Sequence, residues 1–400
     1  MDVSRRGDQT TIYIYHVDCE HDRTYTENVV EYLESQGVVC KSIVLNSDGM
    51  RPELQRCLDD SATAIIGFNS QLDHSWLPSG SFLEAAERHG VPVLQWIIDH
   101  PSFRWVEFDV STSANSRFLL NSEYERQYFR KYCLPDALTA TMGGVGPNRR
   151  SRIERLTLDA FMHRPVACLI PLTFSRMGRT IAVAMESINR LETSLADAVS
   201  DAVNRAQSDL NEPLDLHLTA ALAMHDRKVP HKTFHTLYQL VEQSVQSFRR
   251  RRVFEVARKY PVLIQSDESA VPLMHDSIAS IGIHVSMALT LARMPLCRAV
   301  LSVSPVNDMI HDRTMNALNG GCVAIVEDSV ASKAIFEHDI NALLFRYDDD
   351  SLEECLDVVC NQPERAYDIA QAGMRLREDP RVRFGEFRNI VDLARLRSPA

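Results

Sequence analysis

The chain has 400 residues, 45% of them hydrophobic, and a formal net charge of −11. This length is more than one core usually organises, so about two or three domains are expected. The charge argues against general nucleic-acid binding, and no apolar run reaches the roughly 18 residues that a transmembrane helix needs. Because the N-terminus has no apolar leader and the nine cysteines form no CxxC pair, we expect a reduced, cytoplasmic protein.

Residues 1–150 alternate strand and helix signals. Such alternation predicts a parallel sheet with helices on both faces, a Rossmann-like domain. Runs rich in β-branched and aromatic residues predict strands, and amphipathic segments with glycine or serine at their ends predict helices. The predicted strands are 11–17, 38–45, 62–68 and 91–99, and the predicted helices are 25–37, 81–90 and 122–132.

A second α/β series follows the charged segment 147–165, which we interpret as the crossing between domains. We assign 165–380 to this second domain, with a helical insert at about 178–258, and 381–400 to a C-terminal helix for which packing back on the first domain is one option. The fold class is therefore α/β, with two doubly wound domains facing across a cleft that holds the ligand. The predicted strands are 166–172, 260–266, 297–303, 322–328 and 341–347, and the predicted helices are 351–362, 363–379 and 384–397.

The stretch HDRTMNALNGGCVAIVED, residues 311–328, carries the strongest site signal. At 100° per residue, Asp312, Arg313, Asn316 and Asn319 share one side of a helix, and Thr314, Met315 and Leu318 share the side that packs on a sheet. Gly320 is expected to be the left-handed residue that ends the helix, and Gly321 lets the chain turn into the next strand. A helix N-terminus near residues 308–311, together with Arg313, suits an anion such as a diphosphate. A packed helix with a solvated polar face is the alternative.

The order of these segments resembles a known family. The sequence SPVND–HDRTMNALNGG–CVAIVED, followed by ALLFRYDDDSLEECLDVVCNQPERAYDIAQAG, resembles the nucleotide-sugar half of GT-B glycosyltransferases, and most of all the spore-maturation-protein type with its R-x-x-E-A-x-x-x-G helix. Residues 118–146 are similar to the end of the N-terminal domain of that fold. The resemblance implies transfer of a sugar from a nucleoside-diphosphate donor, held by the second domain, to a glycan, lipid or protein acceptor on the first domain. It implies neither a metal nor another cofactor.

The sequence departs from this family at two places. Many members carry two acids eight positions apart, where this chain has Asp308 and Asn316. The usual glycine-rich loop is replaced by PLTFSRMGRT, in which two arginines flank a single glycine. These arginines either meet the diphosphate or lie on the surface at the start of a helix. A catalytically decayed GT-B-like binding or scaffold protein is therefore the alternative function. The predicted donor-binding residues are Arg176, Arg179, Asp308, His311, Arg313, Asn316, Gly320 and Gly321.

Two loops at predicted strand ends of the first domain carry candidates for the catalytic base. Asp18 and His21 follow the first strand, and Asp99 and His100 follow the fourth. Histidine titrates near neutral pH, and burial can raise a carboxylate toward it. Capping, ion pairing or simple solvation is the alternative for each of them. The arginine run Arg249–Arg252 has two interpretations as well: a solvated helix face, or contact with anionic lipid at the inner face of the membrane.

Overall fold

The computed structural model describes residues 10–17, 20–45, 50–60, 62–69, 72, 76–77, 80–105, 108, 113–143, 151–172, 192–209, 212–266, 274–283, 286–303, 310–379, 382 and 387–395. The chain divides into two compact units. The first consists of Met1–Gly143 with Phe384–Ala400, and the second of Gly144–Arg383. Each unit contains a six-stranded parallel sheet with helices around it, which confirms the predicted α/β class.

The sheet of the first unit has the strand order β2-β1-β3-β6-β7-β8, and β4 and β5 pair as a separate antiparallel hairpin. The middle strands are buried along their whole length, as expected where helices cover both faces of a parallel sheet. The strands are β1 Thr11–Val17, β2 Val39–Leu45, β3 Ala64–Phe68, β4 Trp76–Leu77, β5 Gly80–Ser81, β6 Val93–Ile97, β7 Ser116–Leu120 and β8 Leu138–Thr141. The helices are α1 Glu20–Ser35, α2 Met50–Asp59, α3 Phe82–Arg88 and α4 Glu123–Tyr132.

The sheet of the second unit has the order β11-β10-β9-β12-β13-β14. Chain direction across the sheet reverses between β9 and β12, and ligands of such sheets bind where this reversal occurs, at the carboxyl ends of the strands. The strands are β9 Val166–Pro171, β10 Leu263–Ser266, β11 Ser280–Ile283, β12 Cys297–Leu301, β13 Val323–Glu327 and β14 Leu343–Phe345. The helices are α5 Leu158–Met162, α6 Thr193–Ser208, α7 Leu214–Met224, α8 His231–Ala257, α9 Met287–Arg293, α10 Asp312–Asn319, α11 Val330–Lys333, α12 Asp349–Asn361 and α13 Pro363–Leu376.

The last helix, α14 Arg388–Arg395, belongs to the first unit. The Asn389 amide donates to the carbonyl oxygen of Thr141 at 2.7 Å. The Phe387 ring meets the rings of Tyr32 and Trp96 edge-on, with centroids 5.7 and 6.3 Å apart. Aromatic packing and a hydrogen bond therefore hold the end of the chain against the first sheet.

The boundary between the units falls after residue 143, earlier than the predicted 150. The charged segment 151–164, which we interpreted as a crossing, packs into the second unit. Ser151 Oγ donates to Asn316 at 2.8 Å, and the Arg164 guanidinium donates to the carbonyl oxygens of Cys297 and Gly321 at 2.7 and 2.8 Å. One of the charges that made this segment resemble a linker, that of Arg164, is therefore an anchor on the sheet and on the end of α10.

The predicted helical insert contains three described helices, α6, α7 and α8. Arg249, in α8, is 1% exposed, so the expectation that all of Arg249–Arg252 faces water or lipid is wrong for this residue. Arg252 is partly exposed and pairs with Asp349 at 3.1 Å. Among the described residues, no helix combines the length and the apolar character that crossing a bilayer requires.

Candidate functional site

Helix α10 begins at the carboxyl edge of the second sheet, after β12. His311 is its N-cap, and the imidazole Nδ1 accepts a hydrogen bond from the backbone amide of Arg313 at 3.2 Å. The imidazole also contacts the Asp312 carboxylate. Burial alone would raise the pKa of Asp312, but His311 and Arg313 together hold that pKa well below its ordinary value of 3.8. An amide that an anion would need is thus already used by the cap.

The far end of α10 is closed by a Schellman motif. The amide of Cys322 donates to Ala317 O at 2.9 Å, and that of Gly321 donates to Leu318 O at 3.0 Å. Gly321 is the left-handed residue, with φ of 61°, while Gly320 has φ of −78°. The prediction that Gly320 takes the left-handed conformation is wrong: the helix ends at Asn319, Gly320 is its C-cap with a negative φ, and the left-handed turn falls on the next residue.

The predicted polar side of α10 does not face solvent. Asn316 is 1% exposed; its amide oxygen accepts from Ser151 Oγ at 2.8 Å, and its amide nitrogen donates to Asp312 O at 2.8 Å. Asn319 Nδ2 donates to the same hydroxyl at 3.1 Å. These amides tie the helix to the start of the second unit, because the segment from Ser151 covers the side that the helical wheel left open.

Arg313 is the exception on this helix. It is partly exposed, whereas every other residue from Asp312 to Asn319 is buried. Within the described part of the chain, no acceptor is hydrogen-bonded to its guanidinium, and no carboxylate lies within 4.0 Å of it. A partly exposed guanidinium at the carboxyl edge of a doubly wound sheet suits a phosphate group.

Ser302 lies at the same edge, directly after β12 and beside the point where the strand order reverses. It is 1% exposed, and its hydroxyl has no hydrogen-bond partner among the described residues. A buried hydroxyl without a partner costs free energy, so native structures usually supply one. A ligand oxygen at this edge would supply it.

A buried ion pair occupies the carboxyl end of β13. Arg249 of α8 lies 3.1 Å from Glu327, which is 7% exposed. The Tyr347 hydroxyl donates to the same carboxylate at 3.3 Å, and the guanidinium lies over the Tyr347 ring, 4.9 Å from its centroid. Burial, reinforced by the Glu327 charge, raises the pKa of Tyr347 well above 10.0, so the phenol stays protonated.

Glu327 and Tyr347 border a pocket of about 270 Å³. Because β13 and β14 both end at it, the pocket opens at the edge where this type of sheet binds ligands. Its lining is mixed in charge, with acidic residues from several elements and one exposed arginine. The residues that define it are Asp209, Phe248, Glu327, Asp328, Arg346 and Asp348.

Sequence analysis did not assign Glu327, Arg249 or Tyr347 to the donor site. One signal was present: CVAIVED places an acid at the end of an apolar strand, where the side chain cannot avoid the ligand-binding edge. Arg249 gave no comparable signal, because three further arginines follow it and a charge run is typical of a solvated helix face.

Three of the predicted donor-binding residues, Arg176, Arg179 and Asp308, lie outside the described residues. Of the predicted bases, Asp18 also lies outside them, and His21 is described only as part of helix α1. Their roles stay predictions.

The remaining two candidate bases lie at the carboxyl end of β6. Asp99 is exposed and accepts from Arg104 at 3.0 Å and from Asn69 at 3.2 Å. His100 is 5% exposed; its Nδ1 is bonded to Ser102, and its ring meets Tyr128 edge-on with centroids 4.6 Å apart. Asp99 is therefore open to an acceptor. The ring of His100 is buried and caps the short 3-10 helix Pro101–Phe103.

No protein-family model and no curated protein sequence matches the chain. Solved structures match over nearly its whole length. The DNA-modifying enzyme β-glucosyltransferase has a TM-score of 0.52 at 9% identity, over 97% of this chain and 100% of that one. The T4 phage β-glucosyltransferase has a TM-score of 0.50 at 8% identity, over 96% and 99%. Sucrose-phosphate synthase from Thermosynechococcus elongatus has a TM-score of 0.49 at 10% identity, over 96% and 98%.

At these identities the likeness shows the fold alone. The narrower resemblance to the spore-maturation-protein type stays a prediction. The two Rossmann-like units, the strand orders and the whole-length matches agree on one architecture. The chain has the GT-B fold of glycosyltransferases.

Proposed function

We propose that the protein is a glycosyltransferase whose second unit binds a nucleoside-diphosphate sugar and whose first unit binds the acceptor. The observation that carries the proposal is Arg313, a guanidinium without an ion-pair partner among the described residues, at the ligand-binding edge of a Rossmann-like sheet. Since the leaving diphosphate gains negative charge as the glycosidic bond breaks, a fixed cation there stabilises the transition state more than the ground state.

The chain's own groups divide the work. The Arg313 guanidinium forms charge-assisted hydrogen bonds to a diphosphate oxygen. Ser302 gives its unpaired hydroxyl to the bound donor. The pair of Glu327 and Arg249 fixes the end of β13 that walls the neighbouring pocket, and Asp99 is the described candidate for removing the acceptor proton.

The proposed donor class is supported by the fold and by one structural neighbour. The β-glucosyltransferase that shares the fold was crystallised with the substrate uridine diphosphoglucose. UDP-glucose is therefore the first donor to test, followed by GDP-, ADP- and dTDP-sugars. A glycan, lipid or protein remains the proposed acceptor.

The test uses the full chain with each donor, and it measures release of the nucleoside diphosphate and the shift in melting temperature. A donor at about 100 times its Kd stabilises the fold by roughly 2.7 kcal/mol. Arg313→Ala should lower turnover by about 10- to 100-fold, the equivalent of one charge-assisted contact. Arg251→Ala, which removes an exposed arginine of α8, is the matched control and should leave turnover unchanged. The proposal fails if none of the donors raises the melting temperature and none releases its nucleoside diphosphate.

One observation favours a second candidate, a binding protein on the same fold that no longer transfers sugar. Asn316 stands where many of the resembling enzymes have an acid, and both ends of its amide are bonded to the protein itself. It is therefore not available to hold a donor ribose. Stabilisation by a nucleotide without any release of the diphosphate, in the presence of acceptor mixtures, would select this candidate.

A further inference from the structure

Asn69 lies at the carboxyl end of β3, directly after the strand. β3 pairs with β6, and the chain that leaves β6 carries Asp99. The backbone of Asn69 is left-handed, with φ of 46°, a conformation that asparagine adopts more readily than most residues. Its amide donates to the carbonyl oxygen of Trp96, in β6, at 2.8 Å. The first residue after β3 is therefore fixed against the neighbouring strand, beside the loop that follows β6.

The Asn69 side chain bonds to this loop at several atoms. Its Oδ1 accepts from the backbone amides of Ile98 and Asp99, at 2.8 and 3.2 Å. Its Nδ2 donates to Oδ2 of the Asp99 carboxylate at 3.2 Å. Only an amide side chain of this length can accept and donate at the same time in this way. Asn69 thus holds both the backbone and the carboxylate of the candidate base.

The same loop is braced from β7 as well. Asn121, which is 5% exposed and follows β7, donates its Nδ2 to the carbonyl oxygen of Ile98 at 2.7 Å. Its Oδ1 in turn accepts from the indole of Trp96 at 3.2 Å. The backbone before Asp99 is therefore held from both neighbouring strands, although the Asp99 side chain itself is 52% exposed. A fixed backbone under an exposed carboxylate is the support that a positioned base requires.

The two oxygens of the Asp99 carboxylate differ in their surroundings. Oδ2 accepts from Asn69 and, at 3.0 Å, from the Arg104 guanidinium. Oδ1 has no hydrogen-bond partner among the residues that the structure describes. A general base removes a proton through an atom that is free to accept it, at about 2.6–3.2 Å from the hydroxyl oxygen. Since Oδ2 is held, the direction in which the free Oδ1 points is set.

We propose that Asn69 is a positioning residue for glycosyl transfer, which directs Oδ1 of Asp99 toward the acceptor hydroxyl; this inference rests on the proposed function. In the reaction, the acceptor proton passes to Oδ1 while the acceptor oxygen bonds to the anomeric carbon of the sugar. The bond from that carbon to the diphosphate oxygen breaks, and its electron pair leaves with the nucleoside diphosphate. Asn69 acts on this step only through the orientation of Asp99.

Asn69→Gly tests this role, because glycine adopts the left-handed backbone without strain and removes only the side chain. The probe is UDP-glucose, or whichever GDP-, ADP- or dTDP-sugar the wild type hydrolyses, with water as the acceptor. The variant should lower kcat for release of the nucleoside diphosphate about tenfold, which is part of the roughly 10²- to 10⁴-fold that a general base contributes. KM for the donor should stay unchanged, because Asn69 does not bind it.

Asp226→Gly is the matched control. Asp226 is also left-handed, with φ of 50°, and it is an exposed residue of the second unit. This variant should leave kcat and KM unchanged. If Asn69→Gly has the same kcat as Asp226→Gly, or if it changes KM for the donor instead of kcat, the inference is overturned. Circular dichroism confirms that each variant is folded at the temperature of the assay.

A double-mutant cycle separates positioning from a purely structural role. Asp99→Asn removes the base and should lower kcat about 100-fold. In that background Asn69→Gly should lower kcat by less than about twofold more, because no base remains to be oriented. A side chain that only keeps the loop folded would cause the same loss in both backgrounds. Losses that multiply therefore refute the positioning role.

Failure of this inference differs from failure of the proposed function. A wild type that releases nucleoside diphosphate, together with an Asn69→Gly variant that equals it, contradicts the positioning role and leaves the proposed function intact. A wild type that neither binds nor hydrolyses any of the donors contradicts the proposed function, and the positioning role falls with it.

Discussion

Replacing Arg249 by methionine tests whether the buried ion pair at the end of β13 is as isolated from water as its geometry indicates. The guanidinium is 1% exposed and lies 3.1 Å from Glu327, which is 7% exposed. Methionine retains much of the aliphatic volume that packs over Tyr347. It removes the charge, however, and leaves the carboxylate with the Tyr347 hydroxyl as its neighbour at 3.3 Å.

The expected loss of stability is large for a single substitution. Removing one partner of a buried pair costs about 3–5 kcal/mol, because the remaining charge stays desolvated. For a unit of this size, each kcal/mol lowers the melting temperature by about 2–4 °C, so we expect a decrease of about 10 °C. Replacing Glu327 by methionine as well removes both charges and should recover most of the loss. The recovery is incomplete because the Tyr347 hydroxyl loses its acceptor.

The assay uses two signals, one that reports on the first unit alone and one that reports on both units. The three tryptophans, at positions 76, 96 and 105, all belong to the first unit, so their fluorescence follows its unfolding. Far-ultraviolet circular dichroism follows the helices of both units. Arg251→Met, on the exposed face of the same helix, is the control. If Arg249→Met melts within about 1 °C of that control, water reaches the pair and the electrostatic reasoning is refuted.

Three further predictions concern helix α10 and its ends. Gly321→Ala should lower the free energy of unfolding, measured by urea denaturation, by about 1–3 kcal/mol, and Gly320→Ala should lower it less. The reason is that a Cβ on Gly321 would combine φ of 61° with a 2.6 Å approach to Ile153. Equal losses for the two variants would refute the cap assignment. Asn316→Asp should lower the melting temperature, because a carboxylate oxygen would replace the amide group that donates to Asp312 O. An unchanged melting temperature would mean that water enters between the new carboxylate and this carbonyl oxygen. The pKa of Asp312 is lowered in the folded state, so the ionised carboxylate contributes stability above about pH 3.8, and this contribution is lost as the pH falls. The free energies of unfolding of the wild type and of Asp312→Asn should therefore differ most at neutral pH and converge in acid. A difference that stays constant with pH would contradict the lowered pKa.

Strands buried on both faces were the easiest elements to predict. β3, β6 and β13 are buried along their whole length and mostly apolar, and this composition indicates a parallel sheet. β7 was missed because its sequence, SRFLL, begins with two polar residues. The structure buries Arg117 by letting its guanidinium donate to the carbonyl oxygen of Leu393, in α14. That partner lies far away in sequence, so no local pattern shows it.

The candidate site also combines features that the sequence predicts with features that only tertiary packing determines. The position of Arg313 on its helix followed from the spacing, because periodicity determines which residues share a side. Which neighbour covers that side depends on tertiary packing, and hence the burial of Asn316 against Ser151 was not predicted. The two adjacent glycines show the limit of predicting a helix end from sequence: either could have taken the left-handed conformation, and the structure assigns it to Gly321 because Gly320 is the C-cap.

Binding of UDP to the full chain, measured by isothermal titration calorimetry, tests most directly whether the second unit holds a nucleoside diphosphate through Arg313. Saturable binding by the wild type and by Arg251→Ala, together with a loss of at least tenfold in affinity for Arg313→Ala, is the predicted result. Equal affinities for all three proteins would remove Arg313 from the site. No binding of UDP, GDP, ADP or dTDP by the wild type would contradict a nucleotide-sugar site in this protein.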